Sequence, residues 1–164
     1  MKKNQGFTLV ELVIVIVILG ILAVTAAPKF LNLSGDAKAS TLQAVKASIE
    51  SANAQVYAKA IIASKQNEAT YTTVNPAIKL VYGYVEADAT EVSKVLDLST
   101  TDWTIAPGVA NGTLGITADD VTIQPKSSTA VTTDTAVSAA CVLIYKESSA
   151  AGAKPVMTLQ TGGC

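Results

Sequence analysis

Residues 7–27, "FTLVELVIVIVILGILAVTAA", carry one charge in 21 positions, the carboxylate of Glu11. As an α-helix this segment would be about 31 Å long at about 1.5 Å per residue. That matches the roughly 30 Å hydrocarbon core of a bilayer. Lys2 and Lys3 precede it, and an excess of Lys on that side holds the N-terminus in the cytoplasm. The rest of the chain then lies across the membrane, where disulfides form. The only two cysteines, Cys141 and Cys164, read as one bridge in that compartment.

Glu11 separates the readings of this segment. An ordinary secretory signal would use Lys2-Lys3, the apolar run and the small residues Ala23 to Ala27, and cleavage there would release a soluble periplasmic protein. Glu11 gains nothing in that arrangement. In a plain single-pass anchor it would snorkel towards the interface. If the segment is kept and buried, a carboxylate inside it is expensive and calls for a partner. The chain offers no cation in the right place. A new N-terminus, made by cleavage just upstream on a neighbouring subunit, would supply one.

The stretch "KKNQGFTLVELVIVIVILGILA" resembles the leader and N-terminal segment of type IV pilins: a short basic leader ending in Gly, then Phe-Thr-Leu-Ile/Val-Glu, then an unbroken apolar helix. The match runs over residues 2–30. The continuation "ILGILAVTAAPKFLNLSGDAKAS" resembles pilins of the mannose-sensitive haemagglutinin (MSHA) type. The resemblance implies that a prepilin peptidase cuts between Gly6 and Phe7 and methylates the new Phe7 amine. Gly6 has no side chain to keep the protease from the backbone. It implies that Glu11 pairs with the Phe7 amine of an adjacent subunit during assembly. An unpaired buried charge costs several kcal/mol, so this pair selects register as well as affinity. The implied partners are further copies of the chain, the peptidase, the inner membrane before assembly, its pilus assembly machinery, and a host or abiotic surface. Localisation follows as inner-membrane precursor and then cell-surface pilus, with roles in adhesion and biofilm attachment.

Composition points away from other classes. The chain is 49% hydrophobic and 5% aromatic with a formal net charge of -1, and every cationic side chain is Lys. Without Arg forks, and with no basic surplus, no nucleic acid is expected. The absence of His removes the commonest general base and metal ligand. Two Cys are too few for a structural zinc site. Asp119-Asp120 with Asp134 lacks the spacing of an EF-hand loop and reads as a solvated turn. Ser127-Ser128 has no His with which to build a nucleophile. No enzyme activity, cofactor or metal is therefore expected. Trp103, beside Asp102, reads as a core or loop anchor, with ring contact to a sugar as the alternative. The five Tyr are scattered without a pattern.

The expected fold class is α+β: a long N-terminal α-helix, transmembrane in its first half and amphipathic in its second, packed on a small antiparallel β-sheet head. Residues 1–6 are the leader, 7–28 the membrane and filament-core helix, 29–66 the amphipathic half, and 67–164 the head with a C-terminal disulfide loop. Leu42, Val45, Ile49, Ala52, Val56 and Ala60 fall at steps of three and four and draw one stripe. Pro28 predicts a kink and Gly20 a weak point, so residues 20–28 would bend or melt on packing. Ser34 or Asp36 would cap a second helical piece. Candidate strands are Ile78–Val85, Val121–Gln124, Ala139–Glu147 and Pro155–Gln160, the last two joined as a hairpin through Ser148–Lys154. That hairpin sets Cys141 near Gln160, within reach of Cys164 once the two intervening glycines turn the chain. Residues Ala87–Gly115 read as irregular loop. Without Lys2 and Lys3, ten of the 12 Lys face 13 acids, so the head is mildly acidic.

A type II secretion pseudopilin would share Gly6–Glu11 but usually lacks the disulfide, and a minor pilin is the related alternative. A DNA-uptake pilus would need basic loops on the head. The secreted soluble protein remains the third alternative.

Overall fold

The amphipathic stripe has the core it needs. In the computed structural model, which describes residues 7–74 and 76–164 and only the backbone of 27–32, helix α1 spans Leu9–Ile62. The chain forms two compact units, the first ending at Asp36 and the second running from Ala37 to Cys164. In the second, Leu42, Val45, Ile49, Val56 and Ala60 of α1 are buried. They share a cluster with Leu80, Val85, Ile123, Leu143 and Tyr145. Ala52 is only half-buried, and its neighbour Asn53 takes the place inside.

The second unit is α+β. After α1 come β1 (Tyr71–Thr72), β2 (Lys79–Val81), β3 (Tyr84–Val85), α2 (Ala89–Val95), β4 (Trp103–Pro107), β5 (Val121–Pro125), a short 3₁₀ turn (Val137–Ala139), β6 (Val142–Lys146) and β7 (Val156–Gln160). They form two antiparallel sheets, β1-β2-β3 and β4-β5-β6-β7, rather than one. The central strand β6 reads as a continuous apolar run because both of its faces are covered. Leu143 and Tyr145 face the main cluster, whereas Val142 and Ile144 pack with Leu114 and Ile116 in a second one.

Several local expectations are corrected. First, α1 stops at Ile62, short of residue 66. Ser64 adopts a left-handed φ of 57°, Lys65 N–H donates to Ala60 O and Ser64 N–H to Ile61 O. This closes the helix as a Schellman motif with Ser in the place usually held by Gly. Second, no new helix starts at Ser34 or Asp36, because α1 runs on through them. Third, Ile78–Val85 is a hairpin rather than one strand. Tyr82 and Gly83 have φ of 49° and 83°, the two positive values that a two-residue type I′ turn demands. A Cβ on Gly83 would lie 2.8 Å from the Tyr57 ring, so the turn is locked by packing as well as by conformation.

Fourth, Ala87–Gly115 holds α2 and β4. Asp88 caps α2, its Oδ1 accepting from the N–H groups of Thr90 and Glu91 at 2.8 and 3.2 Å. Asp120, expected in a solvated turn, is buried and accepts from Lys146 Nζ and Thr117 N–H at 2.6 Å each, while Asp119 stays exposed. The hairpin β6–β7 pairs Val142 with Gln160 and Lys146 with Val156. Cys141 and Cys164 are joined by a disulfide. The closing segment is pressed onto the 3₁₀ turn. Gly163 N–H donates to Ala140 O at 2.9 Å, and a Cβ on Gly163 would meet Ala139 O at 2.1 Å.

Candidate functional site

Among the described residues, the first unit presents a long exposed apolar surface. From Leu9 to Ala26 the helix is long and apolar enough to cross a membrane, and none of it is buried. Leu12, Val13, Ile14, Val15 and Ile16, consecutive positions that go once round the helix, are all exposed, so the apolar surface is not confined to one stripe. A helix that is hydrophobic all round belongs inside something larger than itself. Gly20 lies within this run, with open space where its side chain would be. Pro28 lies inside α1, and its side chain is outside the described residues. Gly6 is outside them too.

At the start of α1, Thr8 and Glu11 are locked together. Thr8 N–H and Thr8 Oγ1–H both donate to Glu11 Oε2, at 2.8 and 2.7 Å. Glu11 N–H donates back to Thr8 Oγ1 at 3.3 Å, and Leu12 N–H to Thr8 O at 3.3 Å. This is a capping box, with Thr8 as N-cap and Glu11 at the third helical position. It satisfies amide groups that every helix N-terminus leaves open. The carboxylate also sits at the positive end of the helix dipole, where an anion is favoured.

Glu11 therefore has a partner that charge alone does not reveal. Its nearest partner is neutral and three residues away. The signal was present in the sequence, since Thr-x-x-Glu before an apolar run is a recognised helix start. The box uses only half of the carboxylate: Oε1 accepts no bond among the described residues. Phe7, next to Thr8 and 83% exposed, lies at the same end. The geometry thus brings Phe7, Thr8 and Glu11 together at one terminus, with one carboxylate oxygen held and the other open.

The prokaryotic N-terminal methylation motif matches residues 1–27. A curated relative, the type IV narrow pilus major component PilA5 of Thermus thermophilus, is 46% identical over 52 residues. That alignment covers 32% of this chain and 45% of the relative, so the chain spans less than half of the relative's length. No solved structure matches the chain.

Proposed function

We propose that this chain is a type IV pilin, a structural subunit that polymerises into a surface pilus. The observation that carries the reading is the bare apolar helix Leu9–Ala26, which begins at a half-occupied carboxylate inside the methylation motif. Cleavage between Gly6 and Phe7 creates an ammonium at Phe7. The peptidase that makes the cut also methylates this amine, which keeps its charge. Glu11 Oε1 receives the amine from an adjacent subunit while Oε2 stays in the capping box. A hydrogen-bonded, pre-placed carboxylate loses less freedom when the second charge arrives than a mobile one would.

Before assembly the apolar segment spans the inner membrane with Lys2 and Lys3 on the cytoplasmic side. In the filament the same segments bury one another: close packing replaces lipid contact, and roughly 25 cal/mol for each Å² of apolar area holds a subunit against release into water. Repeated head-to-tail contact that does not close gives a fibre. Gly20 and Pro28 are the positions at which the helix yields during packing. The finer assignment is an MSHA-type pilus for adhesion and biofilm attachment, supported by the likeness of residues 18–40. As a structural subunit the chain carries out no chemistry of its own.

Mass spectrometry of the chain from its native host tests this reading. A mature protein that begins at N-methylated Phe7 is the expected result. An N-terminus at Ala27 would make the apolar run a discarded signal, and an intact Met1 would make it a plain anchor. Either overturns the proposal.

A further inference from the structure

Of the six asparagines in the chain, Asn111 alone is followed by glycine, in "ANGTLG". It follows β4, and its backbone is fixed on both sides. Asn111 N–H donates to Ile116 O and Ile116 N–H to Asn111 O, each at 2.9 Å. Asn111 is 2% exposed, and its side chain is fully engaged. Nδ2 donates to Thr132 O at 2.7 Å and to Thr135 O at 3.0 Å, while Oδ1 accepts from Leu114 N–H at 3.0 Å. Two carbonyls can only accept and an N–H can only donate, so a carboxamide fits here in one orientation.

This carboxamide ties two loops together. The first, from Asn111 to Ile116, sends Leu114 and Ile116 into the second apolar cluster beside Val142 and Ile144. The other is a turn of its own, in which Thr132 N–H donates to Thr135 Oγ1 at 2.8 Å. Gly112 is exposed, and a Cβ added to it would meet open space. The neighbouring peptide nitrogen is thus unshielded by a side chain, and what keeps it from Asn111 Cγ is the hold on the carboxamide.

We propose that Asn111 is a deamidation site gated by the fold: the packed second unit protects it, and a chain that opens converts it irreversibly to an acid. Hydroxide takes the Gly112 amide proton, and the nitrogen attacks Asn111 Cγ. The new C–N bond forms as the Cγ–Nδ2 bond breaks, and ammonia leaves with a proton from water, which restores the hydroxide. Water then opens either C–N bond of the succinimide ring, giving aspartate or isoaspartate. One water is consumed, one ammonia is released, and nothing is oxidised or reduced. The product no longer fits its place. A carboxylate has no hydrogen to give Thr132 O and Thr135 O, so two buried acceptors face an anion. Isoaspartate also lengthens the backbone inside the Asn111–Ile116 bridge. Every group involved belongs to the second unit, so the proposal does not rest on polymerisation.

The test follows acid formation at each asparagine by peptide mapping of the full chain at mildly alkaline pH. One sample is folded in detergent micelles, and the other is unfolded in concentrated urea with a thiol reductant. In urea, Asn111 should convert first of the six, to a mixture of aspartate and isoaspartate. In micelles its conversion should be about a hundredfold slower, because it waits on opening of the packed unit. In urea, Gly112→Ala should slow it about tenfold, since the added Cβ crowds the attacking nitrogen and narrows its backbone range. Asn111→Asp should unfold at lower urea than the unaltered chain at neutral pH. That gap should narrow in acid, where a protonated carboxyl donates to one of the two carbonyls: facing them raises its folded pKa, so its stability is present in acid and lost as pH rises. Equal rates in micelles and urea overturn the proposal. So does earlier conversion of another asparagine in urea, a rate there unmoved by Gly112→Ala, or an unchanged urea midpoint in Asn111→Asp. The mass of the mature N-terminus enters none of these readouts, so the two proposals fail separately.

Discussion

Glu11 performs two tasks at once. As the third residue of a capping box it accepts the Thr8 N–H, and in the proposed filament its charge would receive the Phe7 ammonium of a neighbouring copy. Glutamine can do the first and not the second, so Glu11→Gln separates helix capping from charge. Deeper in the chain, Asn53 is the polar intruder in an apolar stripe. Its Oδ1 accepts Val85 N–H at 3.0 Å, and its Nδ2 lies 3.4 Å from the hydroxyl of Tyr145, which itself donates to Val85 O. Helix α1, strand β3 and strand β6 meet there. Asn53→Ala strands a buried N–H and should destabilise the chain by about 2–3 kcal/mol in a denaturant titration. Burial pushes the Tyr145 phenol well above its ordinary value, although the Asn53 contact works the other way. The neutral form is therefore favoured by the fold. The contribution is complete below about pH 10 and is lost as pH rises above it. A Tyr145→Phe variant should show a shallower alkaline loss of stability. Nothing in the residue pattern announced Asn53, because a polar residue at a core step is indistinguishable from a surface one until its partners, here more than 30 residues away, are known.

Helix α2 shows why a stretch that reads as loop can be structured. Its seven residues are too few to display a helical period. Its evidence in the sequence is the Asp88-x-x-Glu91 start, and the signal is only that one cap. The backbone N–H of Thr90 is the main influence holding the Asp88 carboxyl below its usual range. A depressed acid lends stability above its unfolded value, and that is lost as pH falls from about 4 through the lower folded value. Asp88→Ala should cost about 1 kcal/mol at neutral pH and less in acid, measured by thermal unfolding at both. The β2–β3 hairpin was hidden for a different reason. Tyr-Gly is a less telling turn pair than Asn-Gly, and Tyr82 accepts a positive φ that its ring does not favour. At the C-terminus, Gly163→Ala would drive a methyl into Ala139 O. Two free thiols by alkylation mass are expected in that variant, whereas Gly112→Ala, which meets open space, should keep the bridge.

Over the whole molecule, the parts that were legible are those governed by period and length. The apolar run, the stripe from Leu42 to Ala60, and strands β5, β6 and β7 follow from spacing that survives any tertiary context. The division into two sheets and the pairing of buried Asp120 with half-buried Lys146 depend on contacts across long separations. The disulfide closes 23 residues and should contribute about 3 kcal/mol on the chain-entropy view, read as the loss in a double Cys→Ser variant. That stability serves the second unit, yet the proposed filament is made by the first, whose exposed apolar surface is worth little to a lone subunit. The central claim is that polymerisation needs the charge of Glu11 and not merely its cap. The direct measurement is the mass of filaments sheared from cells that make Glu11→Gln, with its mature N-terminus verified at Phe7. A correctly trimmed subunit that stays in the membrane and yields almost no filament is the expected result. Filaments at the wild-type level from that trimmed variant would contradict it.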